Sequence, residues 1–312
     1  MLFNSHTFIF FFFPCATAIF FILGRWRPTW AAAWLGLASL IFYGWDSPFR
    51  HVAIMVMSIG FNYAVGRLLT RRDASPGLRR LGLVAGISVN LLVIGYFKYA
   101  GFLLGIFGAS AGDILLPLGI SFFTFTQIAF LVDAYRGLAK EYNPVHYLLF
   151  VSYFPHLIAG PILHHKEMMP QFAQADIYRP NWQSLALGLS VFTVGLVKKV
   201  LLADTIAPYA DAVFAGAPVL ALTPTEAWTG AIAYTLQIYF DFSGYSDMAI
   251  GLSRAIGIRL PLNFNSPYKS TCIIEFWRRW HMTLSRFLRD YLYFSLGGNR
   301  LGHQRFATAL NA

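Results

Sequence analysis

The sequence predicts an all-α polytopic membrane protein. Three observations carry this reading. Of 312 residues, 57% are apolar and only 12% charged. The mean hydropathy is +0.54. Apolar runs approaching the ~20 residues that a bilayer requires recur along the chain. A soluble domain of ordinary composition carries about twice this share of charge. The net charge of +10 does not call for nucleic acid, because most basic residues sit in short loops between apolar runs, where they set membrane orientation. Cys15 and Cys272 are isolated, which suits packing residues and neither a disulfide framework nor a CxxC metal site.

In chain order, spans are predicted at Phe8–Leu23, Trp30–Tyr43, Val52–Leu69, Leu81–Phe97 and Leu115–Val132. The first lacks a basic leader and reads as a retained span rather than a cleaved signal. Arg25 and Arg27 occupy one loop. Arg67, Arg71, Arg72, Arg79 and Arg80 gather at the next loop on the same side, and Arg136 and Lys140 at the one after. The opposite loops offer only Arg50 and Lys98, so the N-terminus is expected outside and the RRDASPGLRR loop in the cytoplasm. Val145–Ala159 is short and holds Pro155 and His156, which predicts a re-entrant or broken helix. Leu185–Leu202 is expected to place Lys198 and Lys199 at its cytoplasmic end. Trp228–Leu252 is long but is expected to be interrupted at DFSGYSD.

Four polar constellations stand out. Glu275–Asp290, EFWRRWHMTLSRFLRD, holds four arginines, two acids and a histidine. Phe276, Trp280, Leu284, Phe287 or Leu288, and Tyr291 recur at helical spacing, so one continuous helix is expected. Arg278, His281, Ser285 and Arg289 would share a face bordered by Arg279 and Arg286. Glu275–Arg279 and Arg286–Asp290 would pair at i,i+4. An amphipathic helix at the lipid headgroups explains this stretch physically, and the arginines are expected to keep the His281 ring neutral. In YFDFSGYSD, Asp241, Ser243, Tyr245, Ser246 and Asp247 lie in an apolar span. Acids there face a cavity or a partner, which suits either a transporter site with Gly244 breaking the helix or pairing with nearby arginines. YFPHLIAGPILHHKEMMPQF carries His156, His164 and His165 without a carboxylate or cysteine at metal-ligand spacing, and reads as a turn lining a water-filled cavity. LNFNSPYKST supplies Asn263, Asn265 and Ser266 as turn and cap residues ahead of the arginine helix.

The order of these segments, with PLGISFFTFTQIAFLVDAYRG, GLVKKVLLAD and FWRRWHMTLSRFLRDYLYFSLGGNR, resembles the membrane-bound O-acyltransferase (MBOAT) family. It is most similar to the branch containing the membrane component of alginate O-acetylation. The likeness runs from about 115 to 300 and is loose over the N-terminal spans at about 8–107. It implies many transmembrane helices with re-entrant and horizontal pieces around a central cavity. It also implies acyl transfer from a cytoplasmic thioester, acetyl-CoA being the expected donor substrate, with no bound cofactor or metal. An extracytoplasmic acetyltransferase partner would then modify an exported polysaccharide. Localisation to the bacterial inner membrane follows from the same likeness. His281 matches the family's upstream polar position. The family's downstream histidine, in a Trp/Gly-rich apolar segment, has no match, since only His303 follows in LGHQRF. The expectation is thus a single, incomplete MBOAT domain over 1–312, truncated at its C-terminus and of uncertain activity.

The donor-side candidates are Arg278, Arg279, Arg286 and Arg289, as cationic partners for phosphates. The cavity candidates are Asn263, Asn265, Ser266, Asp241, Ser243, Tyr245, Asp247 and His156. The competing acyl readings are peptidoglycan O-acetyl transfer and D-alanyl transfer to teichoic acid. A transporter or flippase and an inactive scaffold are the other classes.

Overall fold

A computed structural model describes residues 1–109, 112, 114–139, 143–158, 160–216 and 222–298. It is 78% helical, with no strand among the described residues, as the composition predicts. The predicted positions Lys140, Ala159 and His303 lie outside the described residues.

Three helices start where the sequence places a capping side chain before proline. The pairs are Ser75–Pro76, Asn143–Pro144 and Thr223–Pro224. In each, a side-chain oxygen accepts an otherwise unpaired N–H while proline fills the first turn, where its missing donor costs nothing. At the last of these Glu226 completes a capping box.

The N-terminal half contains α1 (Phe8–Trp26), α2 (Pro28–Gly44), α3 (Phe49–Thr70), α4 (Pro76–Ile106) and α5 (Ile120–Tyr135). The helix α4 runs 31 residues, well past its predicted ends. Polar side chains join these helices inside the apolar bundle. Asn62 of α3 and Asn90 of α4 exchange amide hydrogen bonds at 2.6 and 3.2 Å, and Gln127 of α5 donates to Ser58 of α3 at 3.0 Å. Such bonds hold helices together where burying apolar surface gives no net drive. Arg79 ties three helix ends, donating to Leu69 O at 2.8 Å and Tyr135 O at 2.9 Å. The arginine-rich loop and the Arg136 end therefore share one side, as the charge pattern predicts.

The expected broken helix is present. Its pieces are α6 (Pro144–Ser152) and the single turn α7 (Phe154–Leu157), followed by the short α8 (His165–Phe172). Rings of Phe3, Phe8, Phe12, Phe42 and Phe154 pack about this break.

Two long helices, α9 (Trp182–Gly216) and α10 (Pro224–Ile256), run antiparallel. They meet at a glycine seam. A Cβ on Gly188 would lie 2.4 Å from Ala255 N, and one on Gly195 would lie 2.6 Å from Gly244 O. Gly244 and Gly251 return the contact from α10, seven residues apart as Gly188 and Gly195 are. Small residues at this spacing let two backbones touch. Three expectations fail here. Gly244 does not interrupt the helix, since α10 is continuous through DFSGYSD. Lys198 and Lys199 lie within α9, not at its end. Asp247 pairs with Lys198 at 2.6 Å and Asp241 with Lys199 at 2.7 Å, so the acids neither meet arginines nor stand free for a transported ion. Cys15 and Cys272 are exposed, not packed.

Candidate active site

The predicted arginine helix is two helices. After α11 (Ile273–Arg279) the chain turns at His281 and resumes as α12 (Met282–Phe287), continuing as a π-helix over Leu288–Tyr293. His281 has φ 42°, and Ser266 has φ 45°. These are the only non-glycine residues with positive φ among the described residues. Left-handed backbone in such residues costs of order 1–3 kcal/mol and gathers at functional sites. Here it is held by two crossing backbone bonds, Asn265 N to Arg279 O and Met282 N to Asn263 O, both 2.9 Å.

This turn aims His281 inward. Its ring is buried against Phe242, edge-on at 4.9 Å. Its Nδ1 lies 3.0 Å from Asn263 Oδ1. Asn263 Oδ1 also faces Thr283 N at 3.4 Å and Thr283 Oγ1 at 2.9 Å. A backbone N–H can only donate, which fixes that side of the amide as its carbonyl. His281 Nδ1 therefore carries the proton, and Nε2 presents a lone pair. Burial pushes the imidazole down to about 4, so desolvation, rather than the expected arginines, keeps it neutral. Asn263 Nδ2 donates to Ser246 Oγ at 3.2 Å, fastening the site to α10. Ser246 lies ten residues before Ile256, ~15 Å along the helix.

Thr283 also lines a cavity of about 830 Å³ with Trp277, Arg278, Ser285, Arg286 and Arg289. Three of the four predicted arginines thus share one cavity beside the His281 network. The fourth, Arg279, turns away and pairs with Glu275 at 2.6 Å. The predicted Arg286–Asp290 pair does not form. Arg286 grips Glu167 of α8 at 2.6 and 3.2 Å, and Asp290 binds Arg289 at 2.9 Å.

The family-model comparison matches residues 131–310 to the MBOAT, membrane-bound O-acyltransferase family, a stretch enclosing all these groups. The chain belongs to the MBOAT family. It is 43% identical to a peptidoglycan O-acetyltransferase of Helicobacter pylori over 96% of this chain and 63% of that protein. It is likewise 43% identical to a probable alginate O-acetylase of Pseudomonas aeruginosa, over 96% of this chain and 58% of that protein. A teichoic acid D-alanyltransferase of Bacillus subtilis is 33% identical over 58% of this chain and 46% of its own length. The chain spans roughly three-fifths of the length of the two O-acetyl relatives.

Within this MBOAT fold the other predicted residues divide. Asn265 acts through its backbone N–H in the crossing described above, while the left-handed Ser266 accepts from Lys269 N. Asp241 and Asp247 are occupied by the lysines of α9. Among the described residues, the buried hydroxyls of Ser243 and Tyr245 have no hydrogen-bond partner, and Tyr245 stacks on Phe3 at 4.6 Å. Neither lines the arginine cavity. His156 is a core residue, its Nε2 3.1 Å from Phe150 O, and is removed from the cavity. His164 lines a cavity of about 560 Å³, and His165 follows it in the chain. There Tyr291 OH donates to Asp133 Oδ2 at 2.8 Å, His164 Nδ1 lies 2.9 Å from Tyr291 OH, and His165 Nδ1 lies 3.1 Å from Asp133. Asp133, Tyr291 and Thr283 are absent from the sequence-derived site. Asp133 carried a legible signal, a lone acid inside an apolar helix. Thr283 carried none.

Proposed function

We propose that the chain carries the acyl-transfer site of a membrane O-acetyltransferase serving an exported polysaccharide, with acetyl-CoA or another acyl thioester as donor. The observation that carries this reading is the neutral His281, oriented by Asn263, next to a cavity bearing Arg278, Arg286 and Arg289. The guanidinium groups suit the phosphates of a donor. With the acyl group beside His281, Nε2 takes the proton of the acceptor hydroxyl. The hydroxyl oxygen bonds to the carbonyl carbon, the C–S bond breaks, and the leaving thiolate recovers the proton. Asn263, accepting from Nδ1–H, stabilises the imidazolium formed between these steps.

The names of the O-acetyl relatives support the acetyl group and a polysaccharide acceptor. They also support an extracytoplasmic acetyltransferase partner only as far as their polymers are exported. The basic loops favour an N-terminus outside, and the bacterial O-acetyl relatives favour the inner membrane. A second reading, peptidoglycan as acceptor, rests on the equal identity of the Helicobacter pylori relative.

The test is transfer of labelled acetyl from acetyl-CoA in membranes containing the protein, with alginate-type polymer and peptidoglycan fractions analysed separately. Label in the first supports the leading acceptor and label in the second the alternative. Donor binding unchanged by Arg278→Ala and Arg289→Ala, at any salt concentration, would reduce the arginines to membrane anchors.

A further inference from the structure

A second charged cavity, of about 580 Å³, lies where α8 meets the facing ends of α9 and α10. Lys166, Arg179, Arg254 and Arg259 converge on it from separate segments of the chain. Among the described residues, none of these four side chains has a hydrogen-bond or ion-pair partner, and Arg254 Nε is buried without one. Of the acids lining the cavity, Glu167 is already held by both guanidinium nitrogens of Arg286, which leaves Asp176 against four cations. The C-terminus of α10 attracts Arg254 and Arg259 through its dipole. It does not account for Lys166 and Arg179, which come from other segments. Four like charges held around one hollow with a single unpaired acid repel, and the arrangement is relieved by a bound anion.

The cavity also has a definite level. It opens beside Asn181 and Ser184, where the membrane-crossing helix α9 begins. Trp182, 75% exposed, marks the height at which indole rings meet lipid headgroups. Arginine forks at that height match phosphate geometry.

We propose that this cavity binds a phosphate group, presented by an anionic lipid headgroup or by a soluble phosphate ligand. The site is distinct from the His281 cavity, and the Glu167–Arg286 pair stands between them, Glu167 lining one and Arg286 the other. Acyl transfer is therefore not the readout. The purified chain in detergent is examined by native mass spectrometry with phosphatidylglycerol or uncharged diacylglycerol, and by calorimetric titration with inorganic phosphate. The variants are Arg254→Gln/Arg259→Gln, and Gln174→Glu, which adds a negative charge at the exposed rim. Arg80→Gln, a distant exposed site, controls for net charge.

The expected result is retention of phosphatidylglycerol over diacylglycerol, reduced about tenfold or more in both cavity variants and unchanged in the control. Inorganic phosphate binding that is lost in the same variants, without lipid retention, sustains the site and assigns it a soluble ligand. Wild-type binding of neither probe, or equal binding by wild type and Gln174→Glu, overturns the proposal.

Discussion

At the scale of single residues, His281 is governed by one hydrogen bond and by burial. Replacing it with asparagine is expected to lower acetyl transfer by ~10²–10⁴-fold, the usual contribution of a positioned base, with the protein still folded by circular dichroism. Asn263→Ala removes the acceptor that fixes the tautomer, so transfer should fall while donor binding holds. Full activity in both variants would remove His281 from the chemistry. The ring also predicts a pH effect on stability. Its value in the unfolded chain is near 6.5, and burial takes it down to about 4 in the folded protein. Between these values the unfolded state binds the proton and the folded state does not, so stability falls as pH drops from about 6.5 toward 4. In His281→Asn this part of the loss should vanish from thermal melts over that window. An unchanged slope would mean that the ring is not buried neutral.

At the scale of elements, the glycine seam between α9 and α10 has no slack. Gly195→Leu or Gly244→Leu would drive a side chain into the facing backbone, with contacts already below 3 Å at the Cβ. The expected cost is about 1–3 kcal/mol, read as a fall in the detergent melting temperature. Gly77→Leu, at an exposed position with open space around it, should change little. The split between α11 and α12 is the other decision at this scale. Helical spacing of Phe276, Trp280, Leu284 and Phe287 was legible and predicted one helix. The break was not, because its cause lies in Asn263 and Asn265, which bond the turn from another part of the chain. The same distance effect redirected Arg286 to Glu167 in α8, away from its sequence neighbour Asp290.

At the scale of the molecule, Arg79 holds the ends of α3, α4 and α5 together, which fixes the loops at 71–75 and 136–137 to one side. With the exposed Cys15 and Cys272 replaced by alanine, Ser75→Cys should react with an impermeant thiol reagent only in opened cells, and Ser47→Cys in intact cells. The reverse pattern would invert the orientation read from the charges. Composition and the positions of apolar runs determined by themselves that this is a helical membrane protein, because a bilayer constrains length and polarity locally. The motif order also pointed to the MBOAT family, and three of the arginines it singled out, Arg278, Arg286 and Arg289, line one cavity. Only the tertiary structure decided which polar groups are spent on each other and which stay available. Lys198 and Lys199 satisfy Asp247 and Asp241, Phe150 satisfies His156, and Asn263 holds the buried His281 ring through Nδ1. Inside an apolar bundle a buried polar group must find a partner, and that partner is set by which helices meet, a property that no local stretch of sequence contains.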